Sequence, residues 1–228
     1  MKKVAIAVFV KTPELTPCKT RLAVDLGQEN AHEFYIESIK ITQKLIQQIT
    51  HKSFYIDPYF AVAEREGMDS PRWNAFHRVY QGEGKLGDRL ANVYEELIIK
   101  YDTVIFLGAD CPHIKSDVLY SAVDHFLSRP EQFVLGKSLD GGFYIFGGSC
   151  RLFSEIWTSI EYSQSDTAEK LVNSLGKIGK VKYLEESFDI DLLTDLEKYK
   201  FINKNKLNKT QLKFISWVNK EFLNKEKN

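Results

Sequence analysis

Val4-Ala5-Ile6-Ala7-Val8-Phe9-Val10 is a continuous apolar run that stops at Lys11. Such a run, rich in Val and without a polar break, suits a central parallel strand covered on both faces. Behind Met1-Lys2-Lys3 it looks briefly like a secretory leader, but it is too short and no small-residue cleavage site follows. Residues 11–22 (KTPELTPCKTRL) carry two prolines and read as a loop. Beyond them Phe34, Ser38, Ile41, Leu45 and Ile49 share one stripe of a long helix. Further strands are expected at residues 59–63, 78–81, 103–107, 133–136, 143–146 and 181–184. Helices are expected at 88–101, 116–128 and 166–175. Thr194-Asp195-Leu196-Glu197 reads as a capping box, and two more helices close the chain. Strands alternating with helices imply βαβ units and a mostly parallel sheet. The expectation is an α/β fold of one domain, residues 1–228, with a helical extension from about residue 198 to 228.

Composition sets limits. With 43% hydrophobic and 27% charged residues in 228, the chain has ordinary globular make-up, which excludes intrinsic disorder. Its 31 Lys+Arg cancel 31 Asp+Glu, against the basic excess of a nucleic-acid-binding protein. The balance is uneven, however. Residues 198–228 hold nine Lys and two Glu, a net +7, so residues 1–197 carry −7. A solvated helix face accounts for the basic tail, with contact to a membrane surface or an acidic partner as the alternative. The three cysteines form no CxxC and the five histidines no HxH or HExxH, so neither a disulfide framework nor a zinc site is signalled. No apolar run has transmembrane length, and a reducing cytoplasm is the expected location.

In an open parallel sheet, ligands bind beyond the carboxyl ends of the strands. Polar groups follow strand ends at Lys11, Lys19 and Arg21, at residues 82–89, at Asp110, at Asp140-Gly141-Gly142, and at Asp189 and Asp191. Lys19 and Arg21 suit phosphate oxygens, although exposed loop charges would explain them individually. Lys19-Thr20 resembles the end of a phosphate-binding Walker loop, but Pro13 and Cys18 replace its glycines and no backbone cradle can form. Gly82-Glu83-Gly84-Lys85-Leu86-Gly87 is a literal GxGxxG with Asp110 downstream, which raises a nicotinamide dehydrogenase as a competitor. Against it, the turn is unusually polar and follows a middle strand. Asp110 ends an apolar strand, where an acid is costly unless it meets a cation or metal. Residues two apart in an extended segment face one side, so Asp189 and Asp191 could share a cleft with Asp110 and converge on Mg²⁺ or Mn²⁺. Helix-terminus charge complementarity would also explain that late pair. Asp140-Gly141-Gly142 is a turn whose functional version faces a substrate hydroxyl.

Taken in order, Phe9-x-Lys11-x-Pro13, Lys19-Thr20-Arg21-Leu22, Leu86-Gly87-x-Arg89, Gly108-Ala109-Asp110-Cys111-Pro112, Asp140-Gly141-Gly142-Phe143-Tyr144 and Asp189-Ile190-Asp191 resemble one family. It is that of the radical-SAM/selenodomain-associated transferases, in the nucleotide-diphospho-sugar transferase (GT-A) superfamily. Some relatives are labelled as glycosyltransferases of arsenosugar biosynthesis. The Lys-Thr-Arg-Leu loop is also similar to that of phospholactate and molybdenum-cofactor guanylyltransferases. The resemblance implies a GT-A-like three-layer α/β/α sandwich and a divalent cation, Mg²⁺ or Mn²⁺, at Asp110 and Asp191. It implies phosphate or nucleotide contacts at Lys11, Lys19, Arg21, Gly87 and Arg89. Asp110 and Asp140 would be the catalytic acids, with Asp140, Gly141 and Gly142 on the acceptor side. The implied reaction is glycosyl transfer from a nucleotide-sugar to a small-molecule acceptor. Nucleotidyl transfer from a nucleoside triphosphate, releasing pyrophosphate, is the second reading, and a non-catalytic nucleotide-binding module the third. Many members have Pro-Gly ahead of the loop motif, where this chain has Glu14-Leu15-Thr16-Pro17.

Overall fold

The computed structural model describes residues 2–51, 55–128 and 132–223. The last five residues of the expected basic extension, 224–228, lie outside that set, as do residues 1, 52–54 and 129–131 of the expected domain.

Strand β1 (Val4–Val10) is followed by α1 (Thr20–Leu26), α2 (Gln28–Thr50), β2 (Ile56–Val62) and β3 (His77–Tyr80). Then come α3 (Leu86–Ile98), β4 (Thr103–Gly108), α4 (Ser116–Ser128), β5 (Gln132–Lys137) and β6 (Phe143–Gly148). The chain closes with α5 (Glu155–Thr158), α6 (Thr167–Leu175), β7 (Lys180–Tyr183), α7 (Leu193–Glu197) and α8 (Lys209–Val218). The seven strands form one mixed sheet in the order β3-β2-β1-β4-β6-β5-β7. Only β6 runs antiparallel to its neighbours β4 and β5.

The pleat of β1 divides its side chains between two cores. Val4, Ile6, Val8 and Val10 face Ile39, Leu45 and Ile46 of α2 and Leu119 and Val123 of α4. Ala5 and Ala7 face the other way, toward Leu90, Val93, Tyr94 and Leu97 of α3 and Leu171 of α6. Helices on both faces make the three-layer GT-A-like sandwich. A third cluster gathers Leu22 of α1, Phe34 and Ile41 of α2, Ile190, Tyr199, and Phe214, Ile215 and Val218 of α8. The basic tail therefore has an apolar face, which packs under α2.

Several expected boundaries move. Residues 20–22 are not loop: α1 starts at Thr20, because Leu22 has a core to enter and Gly27, at φ 81°, supplies the break before α2. Strand β3 ends one residue early, and Gln81 turns inward to donate its amide to Val10 O (3.2 Å) and Ala61 O (2.8 Å). The capping interaction near residue 194 is made differently. Asp195 accepts from the backbone N–H of Asp191 (2.9 Å) and Leu192 (2.8 Å), since α7 begins at Leu193.

Candidate active site

The chain winds outward from β1 to β2 and β3, then returns to place β4 on the other side of β1. That makes the β1/β4 boundary the topological switch point, where open α/β sheets bind ligands. Phe9 pairs with Gly108, so the segments leaving the two strands start side by side. The loop after β1 is pinned at several points. Tyr35 of α2 accepts from Lys11 N (2.8 Å), and Glu64 accepts from Thr12 N (2.7 Å). The loop ends at Lys19, which sits in the left-handed region at φ 52°, ψ 41° immediately before α1. Among the described residues, Lys19 and Ser163 are the two non-glycines with positive φ. Such strain costs on the order of 1–3 kcal/mol and concentrates at functional sites. Ser163 lines the cleft beside this loop.

The conformation aims Lys19 at two acids. Its Nζ lies 2.9 Å from Asp110 Oδ1 and 3.0 Å from Asp191 Oδ1. Arg21, two residues on in the first turn of α1 and largely exposed, reaches Asp191 Oδ2 at 3.4 Å. The Lys19 side chain is 4% exposed and the two carboxylates 42% and 41%. Burial would push the Lys19 pKa down, but the charges of Asp110 and Asp191 outweigh it and hold the amine above its ordinary value. The acid at the end of β4 thus meets its cation within the protein.

Beside this cluster opens a cleft of about 300 Å³, with Asp110, Asp140, Asp189 and Asp191 on its wall and Phe9, Phe106, Phe143 and Tyr162 among its apolar lining. Asp189 and Asp191 both line it but do not act as a pair. The segment is not a regular strand, and Asp189 turns into the protein to accept from Cys111 Sγ (2.7 Å) and Ser138 Oγ (3.1 Å). Burial pushes its pKa up to about 6, with Asp110 and Asp140 adding to the rise against the Cys111 hydrogen bond. Asp140 is exposed and accepts from Gly142 N at 3.0 Å.

Not every expected site residue joins the cluster. Lys11 is exposed, and it is tied to α2 through its backbone N–H, which donates to Tyr35 Oη. Gly87 and Arg89 lie in the first turn of α3. A Cβ on Gly87 would lie 2.6 Å from Trp157 O, so this glycine allows α3 to pack on α5. Arg89 Nε donates to Gly84 O (3.1 Å). The GxGxxG turn follows β3 at the sheet edge and not β1 or β4 at the switch point where a dinucleotide would bind, although its Leu86 lines the cleft. Gly141, at φ 92°, has Ser165 O only 2.0 Å from the site of a Cβ, so it brings the 138–142 turn against the start of α6. Two supports escaped the sequence reading. Tyr35 holds the loop after β1. Gln211 of α8, buried, donates to Pro112 O (3.0 Å) and Ile114 O (2.7 Å), fixing the chain just beyond Asp110.

As for a metal, no group of three or more His, Cys, Asp or Glu gathers in a metal-holding arrangement among the described residues. Asp110 and Asp191 do place oxygens from two segments about one cation. That set fits Mg²⁺ or Mn²⁺, which commonly takes one or two protein carboxylates and completes its shell with phosphate oxygens and water. The Cys18 thiol, pushed up to about 11 by burial, and the Cys111 thiol, raised well above its ordinary value by burial, are unsuited to nucleophilic work. No helix among the described residues is long and apolar enough to cross a membrane.

Residues 46–164 match the family described as "Uncharacterized protein conserved in bacteria" (DUF2064), and the chain belongs to that family. No curated protein matches it. Among solved structures, it is similar to a protein of Desulfovibrio desulfuricans G20 provisionally described as a nucleotide-diphospho-sugar transferase. Identity is 20%, coverage 98% of each chain, and TM-score 0.78. A 4-diphosphocytidyl-2C-methyl-D-erythritol synthase from Anaerococcus prevotii DSM 20548 follows the same fold at 11% identity, covering 95% of this chain and 96% of its own, with TM-score 0.57. So does a cytidylyltransferase from Leptospira borgpetersenii, at 16% identity, full coverage of both chains and TM-score 0.52.

Proposed function

We propose that this protein is a metal-assisted transferase that moves a glycosyl group from a nucleotide-diphospho-sugar to a small-molecule acceptor. The observation that carries the reading is the gathering of Lys19, Arg21, Asp110 and Asp191 at the switch point, beside a cleft that also holds Asp140. The description given to the Desulfovibrio protein supports it.

Each residue has a task. Lys19 and Arg21 supply positive charge for a diphosphate, which becomes more negative as it leaves. Asp110 and Asp191 would hold the Mg²⁺ or Mn²⁺, whose contribution is to offset charge on the phosphate oxygens. Asp140, fixed by the Gly142 N–H, orients an acceptor hydroxyl and takes its proton. Phe9, Phe106 and Phe143 keep water from the reacting centre. Tyr35 and Gln211 hold the two loops in place. A reducing cytoplasm suits the three free cysteines.

Nucleotidyl transfer is the second reading, favoured by the fold shared with cytidylyltransferases and by a cationic loop that suits a triphosphate. One product assay separates the two. The protein is incubated with Mn²⁺, panels of nucleotide-sugars and nucleoside triphosphates, and a panel of small hydroxyl and phosphomonoester acceptors, and the products are resolved by ion-exchange chromatography. Free nucleoside diphosphate supports glycosyl transfer and free pyrophosphate supports nucleotidyl transfer. Absence of both, together with nucleotide binding that ignores loss of Asp110, would leave a non-catalytic binding module.

A further inference from the structure

The ammonium of Lys19 already lies between the two carboxylates that a divalent cation would use. Within this set of four the charges balance at rest: Lys19 and Arg21 match Asp110 and Asp191. Adding a divalent cation alone would leave the set two positive charges in excess. Lys19, 4% exposed, would have to give up its counter-ions without reaching water. A buried charge stripped of its partner is strongly disfavoured. A diphosphate changes the balance, because it brings several negative charges and a new partner for the lysine. Lys19 also leaves the loop in a strained left-handed conformation directly before α1, so the residue whose partner would change sits at a hinge-like position.

The geometry points to Lys19 as a built-in competitor of the metal, so that the divalent cation enters the Asp110–Asp191 pair together with the diphosphate and not ahead of it. This rests on the metal and diphosphate site proposed above and adds the order in which that site fills. Coupling between ligands is reciprocal, so the metal raises diphosphate affinity by the same factor.

The test is direct binding of Mn²⁺ alone, read from the loss of the free-ion electron paramagnetic resonance signal, with no nucleotide and no turnover. Lys19→Met should bind Mn²⁺ roughly 5- to 150-fold more tightly than the wild type, the usual span of coupling between sites. Lys19→Arg, which keeps the charge, should stay weak, and Lys19→Met/Asp110→Asn should lose the gain. Lys19→Gln serves if the methionine variant does not fold, and is judged by the same criterion. In thermal melts, Mn²⁺ and pyrophosphate together should stabilise the wild type beyond the sum of their separate effects, and Lys19→Met should lose that synergy. Unchanged or weaker Mn²⁺ affinity in the uncharged variants, or tightening in Lys19→Arg, would overturn the competition. If the uncharged variants tighten Mn²⁺ while no nucleotide binds at all, the competition stands and the transferase reading falls.

Discussion

Asp110→Asn in the metal-free protein gives a sharp test of the site's electrostatics. An unpaired acid at a strand end would be a liability, and its replacement by Asn would leave stability unchanged or raise it. The structure reverses that expectation, because Asp110 is one of two counter-ions to a lysine buried beneath them. Stripping a buried charge of its partner costs roughly 3–5 kcal/mol. Two facts reduce the figure here. Asp191 remains 3.0 Å from Nζ, and Asp110 is 42% exposed, so water already screens part of the attraction. The expected loss is therefore roughly 1–2 kcal/mol. For a chain of this length each kcal/mol moves the melting temperature by about 2–4 °C, giving a fall of about 2–8 °C. The assay is thermal and urea unfolding in EDTA at neutral pH. In a Lys19→Met background the sign should invert, because Asp110→Asn then relieves repulsion with Asp191. A melting temperature that holds or rises on Asp110→Asn alone, with no inversion in the double variant, would refute the pairing.

Arg21→Ala should barely alter stability, since the side chain is 66% exposed, but should weaken nucleoside diphosphate binding by roughly 1.5–3 kcal/mol in calorimetry with Mn²⁺. Loss of stability with unchanged binding would make Arg21 a structural ion-pair residue. Gly141→Ala should destabilise by about 1–3 kcal/mol from its backbone conformation alone, with the Ser165 carbonyl clash adding to it in urea unfolding. A neutral result would mean that the turn shifts freely. Burial, helped by the charges of Lys115 and Lys198, drives the His113 pKa down to about 3 from its ordinary 6.5, so the folded state binds this proton less readily than the unfolded chain. Its contribution is intact above pH 6.5 and is lost as pH falls toward 3. Across that window His113→Asn should flatten the dependence of stability on pH by up to about 1.4 kcal/mol per unit, and an unaltered slope would rule the histidine out.

The frame of the fold was legible because it depends on local pattern. Val4–Val10 has the unbroken apolar run of a strand covered on both faces, and the stripe through Phe34, Ile41 and Ile49 has the spacing of a long helix. What the pattern missed was decided by distant packing. Residues 20–22 looked like loop because Pro13 and Pro17 dominate their surroundings, yet Leu22 is drawn into a cluster with Ile190 and Val218. The charge of the tail drew notice to its exposed face, while its structural contribution lies on the other, where Gln211 reaches back 99 positions to the Pro112 carbonyl.

The site divides along the same line. Lys19, Arg21, Asp110 and Asp191 were identifiable because each follows a strand end, and that much is one-dimensional. That the lysine faces acids, and not open solvent, depends on β4 lying beside β1, a fact of sheet order. The glycines are legible in a different way. Gly87 and Gly141 stand inside motif-like stretches that suggest a ligand-binding role, and the first atoms that a Cβ on them would meet are Trp157 O and Ser165 O, carbonyls of the protein itself. A glycine records that something comes close without recording what. A lysine and two aspartates record only which charges must be satisfied. At rest they satisfy one another, and the same closure is what any ligand of the cleft must break. A site of this kind resists a lone cation and a lone anion alike, and admits them most readily as a pair.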